Sequence, residues 1–211
     1  MSPRRRSSET TERAGRRPER LPGPVSAETV AAALRAEPGL VVLTGGQTGV
    51  DSLAARSALA AGLPVHLAFP RGLRQEDGPV TPERLAGLRG AVVHELAGAG
   101  FAVRTRTCVG LADAVILVDP AGGDGCSETI RAAADLGRPL LDLTAFAGRP
   151  GRPRTGVLAT VREFLSRNSP HVVLVAGCRA SLLDASGTTA GAAEAVGAAI
   201  RAAADLAGPP A

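Results

Sequence analysis

From residue 26 onward, short runs of valine, leucine and isoleucine alternate with alanine-rich stretches of helical spacing. The apolar runs predict strands at Leu40–Thr44, Pro64–Ala68, Ala91–Glu95, Ala114–Val118, Leu140–Leu143 and Val172–Val175. The other stretches predict helices at Ser26–Ala36, Val50–Ala61, Pro82–Leu88, Gly100–Leu111, Ser127–Leu136, Val157–Arg167 and Thr189–Leu206. Strands that alternate with helices in this way favour a parallel sheet with helices on both faces. The strand runs are apolar throughout, as burial on both faces requires, so we predict an α/β, doubly wound, mostly parallel sheet.

The first 24 residues differ in composition from the rest of the chain. Arginine, serine, glutamate and proline dominate residues 1–24, which therefore cannot bury a core and are predicted to be a disordered tail. The arginines of this tail exceed its glutamates by the whole net charge of the chain, +4. Residues 25–211 are predicted to form a single ligand-binding domain without net charge. Because a nucleic-acid binder carries a basic patch on its fold, we expect no nucleic acid as partner.

The cysteines bear on location and on metal binding. Cys108, Cys126 and Cys178 are odd in number, widely spaced and free of any C-x-x-C pairing, which argues against a disulfide framework or a structural zinc site. No cluster of histidine, cysteine and aspartate has metal-ligand spacing in the sequence, so we expect no metal site. The arginines of the tail precede no apolar segment, and no later stretch is long enough to span a bilayer. We therefore expect a cytoplasmic protein without a membrane partner.

Two glycine-rich segments follow predicted strands and are candidate anion sites. The first, TGGQTGVD, offers Thr44, Gly45, Gly46, Gln47, Thr48, Gly49 and Asp51. The second, DPAGGDGCSE at residues 119–128, offers Gly122, Gly123, Gly125 and Ser127. Uncovered backbone N–H groups at a helix start attract a phosphate. The first and fourth strands are neighbours in the usual strand order, and ligands bind beyond the carboxyl ends of such strands, so we expect both segments at one site. The alternative for the first segment is a tight turn in which glycines serve geometry alone and Asp51 favours the helix start.

Two further segments carry charged candidates. In the loop Phe69–Arg84, Arg71 and Arg74 are predicted to bind an oxyanion, and Glu76 and Asp77 to accept hydrogen bonds from hydroxyl or ring N–H groups. The alternative is that these acids and arginines pair with each other in solvent. In the predicted helix Gly100–Leu111, Arg104 is predicted to point along the helix to the site.

Cys126 falls at a predicted helix start, which would lower the pKa of its thiol and make it nucleophilic. The alternative, which we favour, is an inert small residue, because no histidine has an evident route to this cysteine.

Four motifs together resemble a known family. GGQTGVD, PRGLRQEDGP, FAVRT followed by Asp113, and LVAGCRAS occur in the same order as motifs of the putative molybdenum cofactor carrier protein family. The resemblance covers roughly residues 39–206. That family belongs to a Rossmann-like superfamily that also contains the lysine decarboxylase-like phosphoribohydrolases. The resemblance implies a Rossmann-like fold, molybdenum cofactor (molybdopterin) as a carried ligand, and molybdoenzymes as partners.

Departures from the family pattern keep the ligand and the activity open. Arg71 and Leu73 stand where the family has lysine and arginine, Cys108 replaces an asparagine, and GGDGCSE leans toward the phosphoribohydrolase pattern. The first hypothesis is a non-catalytic carrier of a phosphate-bearing pterin or nucleotide, above all molybdenum cofactor. The second is a nucleoside monophosphate phosphoribohydrolase that uses Glu128 or Glu76, although Glu128 comes one residue early for that pattern. The third, ranked last, is a nucleotide-sensing or nucleic-acid-binding module that uses the arginine-rich tail. The alanine-rich helices also suggest a homo-oligomer.

Overall fold

The computed structural model describes residues 23–148 and 156–208. Within these ranges, one sheet contains six parallel strands. They are β1 (Val41–Thr44), β2 (Val65–Phe69), β5 (Val92–Glu95), β6 (Ala114–Val118), β7 (Leu140–Asp142) and β8 (Val172–Gly177), and β3 (Arg74–Gln75) and β4 (Gly78–Pro79) form a separate antiparallel pair. The predicted strands are thus all found, because each is a local apolar run, whereas the sequence analysis did not foresee the β3–β4 pair.

The helices connect and cover these strands. They are α1 (Ala27–Ala36), α2 (Val50–Ala60), α3 (Pro82–Ala86), α4 (Phe101–Leu111), α5 (Asp124–Asp135), α6 (Val157–Asn168), α7 (Ala180–Ser186) and α8 (Thr189–Ala207), with a short 3-10 helix at Thr144–Phe146. Every predicted helix is present, but α5 begins three residues before the predicted Ser127. Helix α7 was not predicted.

The order of the strands differs from the expected one in a single respect. The sheet runs β5-β2-β1-β8-β6-β7, so the last strand of the chain lies between β1 and β6. It pairs in parallel with both neighbours, with Val173 opposite Val42 and Val175 opposite Ile116. The prediction that β1 and β6 are neighbours was therefore wrong. Because residues 172–175 are buried, β8 meets the requirement that a central strand be covered on both faces.

Helices pack on both faces of the sheet, as the doubly wound fold class predicts. Buried residues of α2, α6 and α8 form one apolar cluster with one face of the strands. Buried residues of α1, α4 and α5 form a second cluster with the other face. The alanines of α8 are largely buried in the first cluster, so the small side chains allow close packing within the chain itself. Self-association through the alanine-rich helices stays a prediction.

The predicted tail falls almost entirely outside the described residues, since these begin at residue 23. Its disorder, and the single domain proposed for residues 25–211, stay predictions. In the part of the chain that the structure covers, no helix has both the length and the apolar character needed to cross a membrane.

Candidate functional site

A cavity of about 480 Å³ lies at the carboxyl ends of β1, β8 and β6. This is the point where the connections diverge to the two halves of the sheet, which is the usual ligand position in doubly wound folds. The cavity has the volume of a typical small-molecule site. Of the predicted site residues, it is lined by Gln47, Asp51, Glu76, Arg104, Gly123 and Gly125, and Glu128 lines it as well.

A buried ion pair forms the inner wall of the cavity. Arg104 of α4 reaches the start of α2, where its Nη1 lies 3.5 Å from Oδ2 of Asp51, and the two side chains are 10% and 4% exposed. Gly45 makes room for this guanidinium, because a Cβ atom at that position would lie 1.2 Å from Nη1 of Arg104. The Nε atom of Arg104 is buried without a hydrogen-bond partner. The inner wall therefore holds a positive group with one unused donor.

The first glycine segment binds the protein's own acid. Oδ2 of Asp51 accepts a hydrogen bond from the Gln47 N–H at 3.0 Å, and the Gly46 N–H donates to Oγ1 of Thr44 at 3.3 Å. Burial raises the pKa of the Asp51 carboxyl, while the charge of Arg104 and the N–H of Gln47 oppose that rise. Donors that the sequence analysis reserved for an external phosphate are thus used internally. Thr44 is fully buried and does not line the cavity.

The second glycine segment presents a helix start to the cavity. Helix α5 begins at Asp124, with Gly123 as its N-cap at φ −128° and ψ 147°. Gly123, Asp124 and Gly125 line the cavity. The first N–H groups of a helix have no partner within it, and the helix dipole favours an anion there. The predicted Gly122 and Ser127 are exposed and lie outside the lining, since the earlier start of α5 turns Ser127 away from its first N–H groups.

Glu76 fastens the loop between β2 and α3 over the first glycine segment. Its carboxylate accepts hydrogen bonds from the hydroxyl groups of Thr48 and Ser181, and its N–H donates to Oε1 of Gln47 at 3.0 Å. Nε of Arg179 lies 3.4 Å from the same carboxylate. Burial opposes the charged form, but the hydrogen bonds from Ser181 and Thr48 outweigh it and lower the pKa of Glu76. The acid predicted to receive a ligand is therefore mainly a clamp between three loops.

The other charged candidates of that loop lie outside the cavity lining. Arg71 and Arg74 are exposed and do not line it. Asp77 forms a two-point ion pair with Arg84, at 2.8 and 2.5 Å, on the surface. In the short strand β3 the side chains alternate, so Gln75 points inward and donates to a carbonyl of the first glycine segment at 2.7 Å. For Asp77, the structure agrees with the alternative interpretation, in which acids and arginines of this loop pair with each other in solvent.

The remaining glycines and Thr48 of the first segment shape the turn without lining the cavity. Gly45 accommodates Arg104, Gly46 packs against Phe69, and Gly49 lies against the backbone of residues 178–180. Thr48 accepts a hydrogen bond from the Ala180 N–H at 3.2 Å.

Several lining residues escaped the sequence analysis. Arg179 follows β8, and Arg131 of α5 pairs with Glu128 at 2.9 Å. Phe101 and Leu182 supply apolar walls. Arg179 belongs to the LVAGCRAS motif, so the resemblance contained a signal for it. Arg131 follows Glu128 by three residues and shares its helix face, which was a second usable signal.

The structure also brings together a group that spacing along the chain did not reveal. Ligand atoms of Asp119, Cys126 and Cys178 all lie within 4.8 Å of one another. Asp119 and Cys126 come from the second glycine segment, and Cys178 follows β8, so the grouping depends on a strand order that spacing along the chain does not reveal. Of the two interpretations of Cys126, the lowered pKa is wrong, because its hydrogen bond with Cys178, its burial and the nearby Asp119 raise the pKa of this thiol. The favoured interpretation of a residue that is not nucleophilic agrees with this direction.

A family model and solved structures are similar to this chain. The model of the "Circularly permutated YpsA SLOG family" matches residues 42–197. A crystal structure of a "putative molybdenum carrier protein" from Syntrophus aciditrophicus SB aligns at 20% identity with a TM-score of 0.59, covering 80% of this chain and 98% of that one. The apo form of AtPrR2 aligns at 18% identity with a TM-score of 0.36, over 62% of this chain and 45% of its own. No curated protein matches the chain in a sequence search.

Proposed function

The chain belongs to the circularly permutated YpsA SLOG family, and we propose that it binds a phosphate-bearing pterin or nucleotide in the cavity. Molybdenum cofactor is the first ligand to test, and the proposed role is that of a cytoplasmic carrier without chemistry of its own. The proposed phosphate position lies between Arg104 and the start of α5. This position differs from the first glycine segment, which the sequence analysis favoured.

The buried Arg104 on the wall of the cavity is the observation that carries this proposal. A buried polar group without a partner is costly, and native proteins rarely keep one without a reason. Arg104 lines the cavity and is about nine-tenths buried, with its Nε lacking an acceptor. The guanidinium of Arg104 lines the cavity, and charge-assisted hydrogen bonds from such a group to a phosphate oxygen are the strong ones.

The rest of the cavity suits a planar heterocycle. Phe101 and Leu182 offer apolar surface, and aromatic rings stack on flat ring systems. Gln47 and Glu128 carry acceptor oxygens for ring N–H groups or sugar hydroxyls. A pterin and a purine share this demand for a flat apolar wall with polar edges, so both ligand classes belong to the proposal.

The comparison with the Syntrophus protein sets the order in which ligands are tested. That protein is described as a putative molybdenum carrier, and its whole length aligns with this chain at a TM-score of 0.59. At 20% identity the likeness concerns the fold. It supports molybdenum cofactor as the first candidate, with molybdoenzymes as the partners such a carrier would serve.

Mass spectrometry of small molecules released by denaturing the freshly purified full chain tests the carrier proposal. We expect a pterin together with molybdenum from the wild type and from Arg71→Ala, an exposed control, and much less from Arg104→Lys. If a nucleotide is released instead of a pterin, the ligand of the proposed carrier is a nucleotide. If no phosphate-bearing molecule is released, and none binds when pterins and nucleotides are added back, the proposal fails.

One observation favours a second, enzymatic function. Glu128 and Arg131 both line the cavity, and the side chain of Glu128 is 19% exposed there. A nucleoside monophosphate phosphoribohydrolase adds water across the N-glycosidic bond, which yields a free base and ribose 5-phosphate. In this alternative Glu128 stabilises or activates groups at the ribose. Incubation with AMP should then release adenine, and Glu128→Gln should abolish that release; no adenine from the wild type would exclude this activity for AMP.

A further inference from the structure

Three potential metal ligands meet beside the cavity, two from the second glycine segment and one from the end of β8. Asp119 follows β6, Cys126 lies in the first turn of α5, and Cys178 follows β8. Their ligand atoms all lie within 4.8 Å of one another. Both cysteines are buried, at 3% and 1% exposure, and both line the cavity. Among the described residues, these three form the one group of histidine, cysteine or acidic side chains whose ligand atoms lie close enough together to hold a metal ion.

The spacing of the three ligand atoms fits a small cation that prefers sulfur. With zinc–sulfur bonds of about 2.3 Å, two sulfur ligands of a tetrahedral site lie roughly 3.8 Å apart. Atoms already within 4.8 Å of one another reach that spacing through small side-chain rotations. Sγ of Cys178 now donates a hydrogen bond to Oδ1 of Asp119 at 2.5 Å, and a cation would replace that shared proton.

Backbone contacts position the side chains of Asp119, Cys126 and Cys178. The Gly123 N–H donates to the other oxygen of Asp119 at 3.3 Å, which orients the carboxylate toward the cysteines. Gly177 lets the end of β8 approach β6, because a Cβ atom there would lie 2.1 Å from the carbonyl oxygen of Val118. Such outer contacts fix the orientation of metal ligands in known sites. The carboxylate is thus positioned by a backbone contact of the fold.

The electrostatics of the cluster also favour a cation. The Cys178 thiol donates to the Asp119 carboxylate, and the Cys126 thiol lies in the same buried cluster. A thiol that coordinates a cation loses its proton outright. Three groups that would repel one another as anions are then held together by the positive charge between them.

From this juxtaposition we propose that Asp119, Cys126 and Cys178 bind one Zn²⁺ ion, whose fourth coordination position faces the cavity. The ion displaces two thiol protons, so two thiolates and one carboxylate bind a doubly charged ion and the site carries one negative charge. A site with three protein ligands and one open position is the kind that can also hold water or a ligand atom. This proposal goes beyond carrier function and does not depend on it.

Titration of the reduced full chain with Co²⁺, in the absence of phosphate and organic ligands, tests the site directly. Cobalt takes tetrahedral zinc sites and gives a thiolate-to-cobalt charge-transfer band. We expect the band to saturate at one equivalent, with release of two protons per ion, and to disappear on addition of Zn²⁺. If the wild type gives no such band, or saturates without proton release, the proposal is overturned.

Variants identify the ligands. Cys126→Ser and Cys178→Ser should each lower the charge-transfer intensity, and Asp119→Asn should weaken cobalt binding by roughly tenfold or more. Cys108→Ser is the matched control, since Cys108 is also buried but lies in α4 outside the cluster, and it should leave the band unchanged. Loss of the band in the control alone would overturn the assignment.

A variant with a substitution at a buried position can fail to fold. The number of cobalt ions bound and of protons released by the wild type therefore tests the proposal independently of the variants. Formation of a Cys126–Cys178 disulfide, combined with no cobalt binding by the reduced chain, would also contradict the proposal. None of these outcomes bears on phosphate binding, which is measured separately.

Discussion

The two glycine-rich segments look alike in sequence but serve different purposes in the structure. Each follows a strand, and each leads into a helix on the rim of the same cavity. In the first segment, backbone donors bind Asp51 and Thr44. In the second, the start of α5 at Gly123–Gly125 lines the cavity. Glycine-rich loops thus supply donors, and whether a donor is left for a ligand depends on side chains placed by distant parts of the chain.

The largest effect is expected from removing the carboxylate of Asp51, which accepts a backbone hydrogen bond within the first glycine segment. Asp51→Ala leaves Arg104 as a buried charge without a partner, which costs about 3–5 kcal/mol of the free energy of unfolding. Urea denaturation measures this loss. Asp77→Ala is the control, because it removes the partner of an exposed arginine, and it should cost at most about 1 kcal/mol. Equal losses in the two variants would show that the first segment has no special structural role.

The second segment is tested by removing one N–H from the start of α5. Asp124→Pro deletes the N–H of the first helical residue, a position where proline is tolerated. The conformation of Gly123, at φ −128° and ψ 147°, already suits a residue before proline. We expect pyrophosphate binding to weaken by about 1–3 kcal/mol, the value of a charged hydrogen bond, as measured by calorimetry.

Asp124→Ala is the matched control for that variant. It keeps the N–H and removes a nearby negative charge, so pyrophosphate should bind at least as tightly as it does to the wild type. If the proline and alanine variants bind equally well, the start of α5 does not hold the anion.

A smaller effect is expected at the clamp between the segments. Glu76→Gln weakens the contacts with Thr48, Ser181 and Arg179, and we expect a loss of about 1–2 kcal/mol of stability at pH 7. The pKa of Glu76 is lowered in the folded state, so the stabilisation is present above its ordinary value of 4.5 and is lost as the pH falls through the folded pKa. The difference between variant and wild type should therefore shrink in acid, and a constant difference would contradict this assignment.

The smallest effect is expected at Arg71, which the sequence analysis placed in the site. Its side chain is exposed and outside the cavity lining. Arg71→Ala should change pyrophosphate affinity by no more than about 0.5 kcal/mol, in keeping with surface substitutions. A loss as large as that of Asp124→Pro would mean that the loop closes over the ligand.

The elements of the fold could be predicted because their signals are local. Val172–Val175 and Ala114–Val118 are apolar runs that identify strands without knowledge of their neighbours. The central place of β8 could not be predicted in this way, since it depends on pairing between residues far apart in the sequence. The start of α5 was missed because Gly123 caps it without a side-chain hydrogen bond, whereas Ser127 is of a type that favours helix starts.

The site could be predicted only in part, because local signals in the sequence do not show contacts between distant residues. Arg104 was found because helix periodicity indicates direction, and the structure brings it to the cavity. Its partnership with Asp51 could not be read from the sequence, because the contact joins residues 53 positions apart. The grouping of Asp119, Cys126 and Cys178 also arises only from the strand order.

The most direct test of the account is an amide NMR titration of the full chain with inorganic pyrophosphate. If the ligand anion binds between Arg104 and α5, the largest shift changes will occur at the N–H groups of Asp124 and Gly125 and at the guanidinium of Arg104. Changes confined to the N–H groups of residues 45–49, with α5 unaffected, would show that the first glycine segment is the phosphate site and would contradict the account.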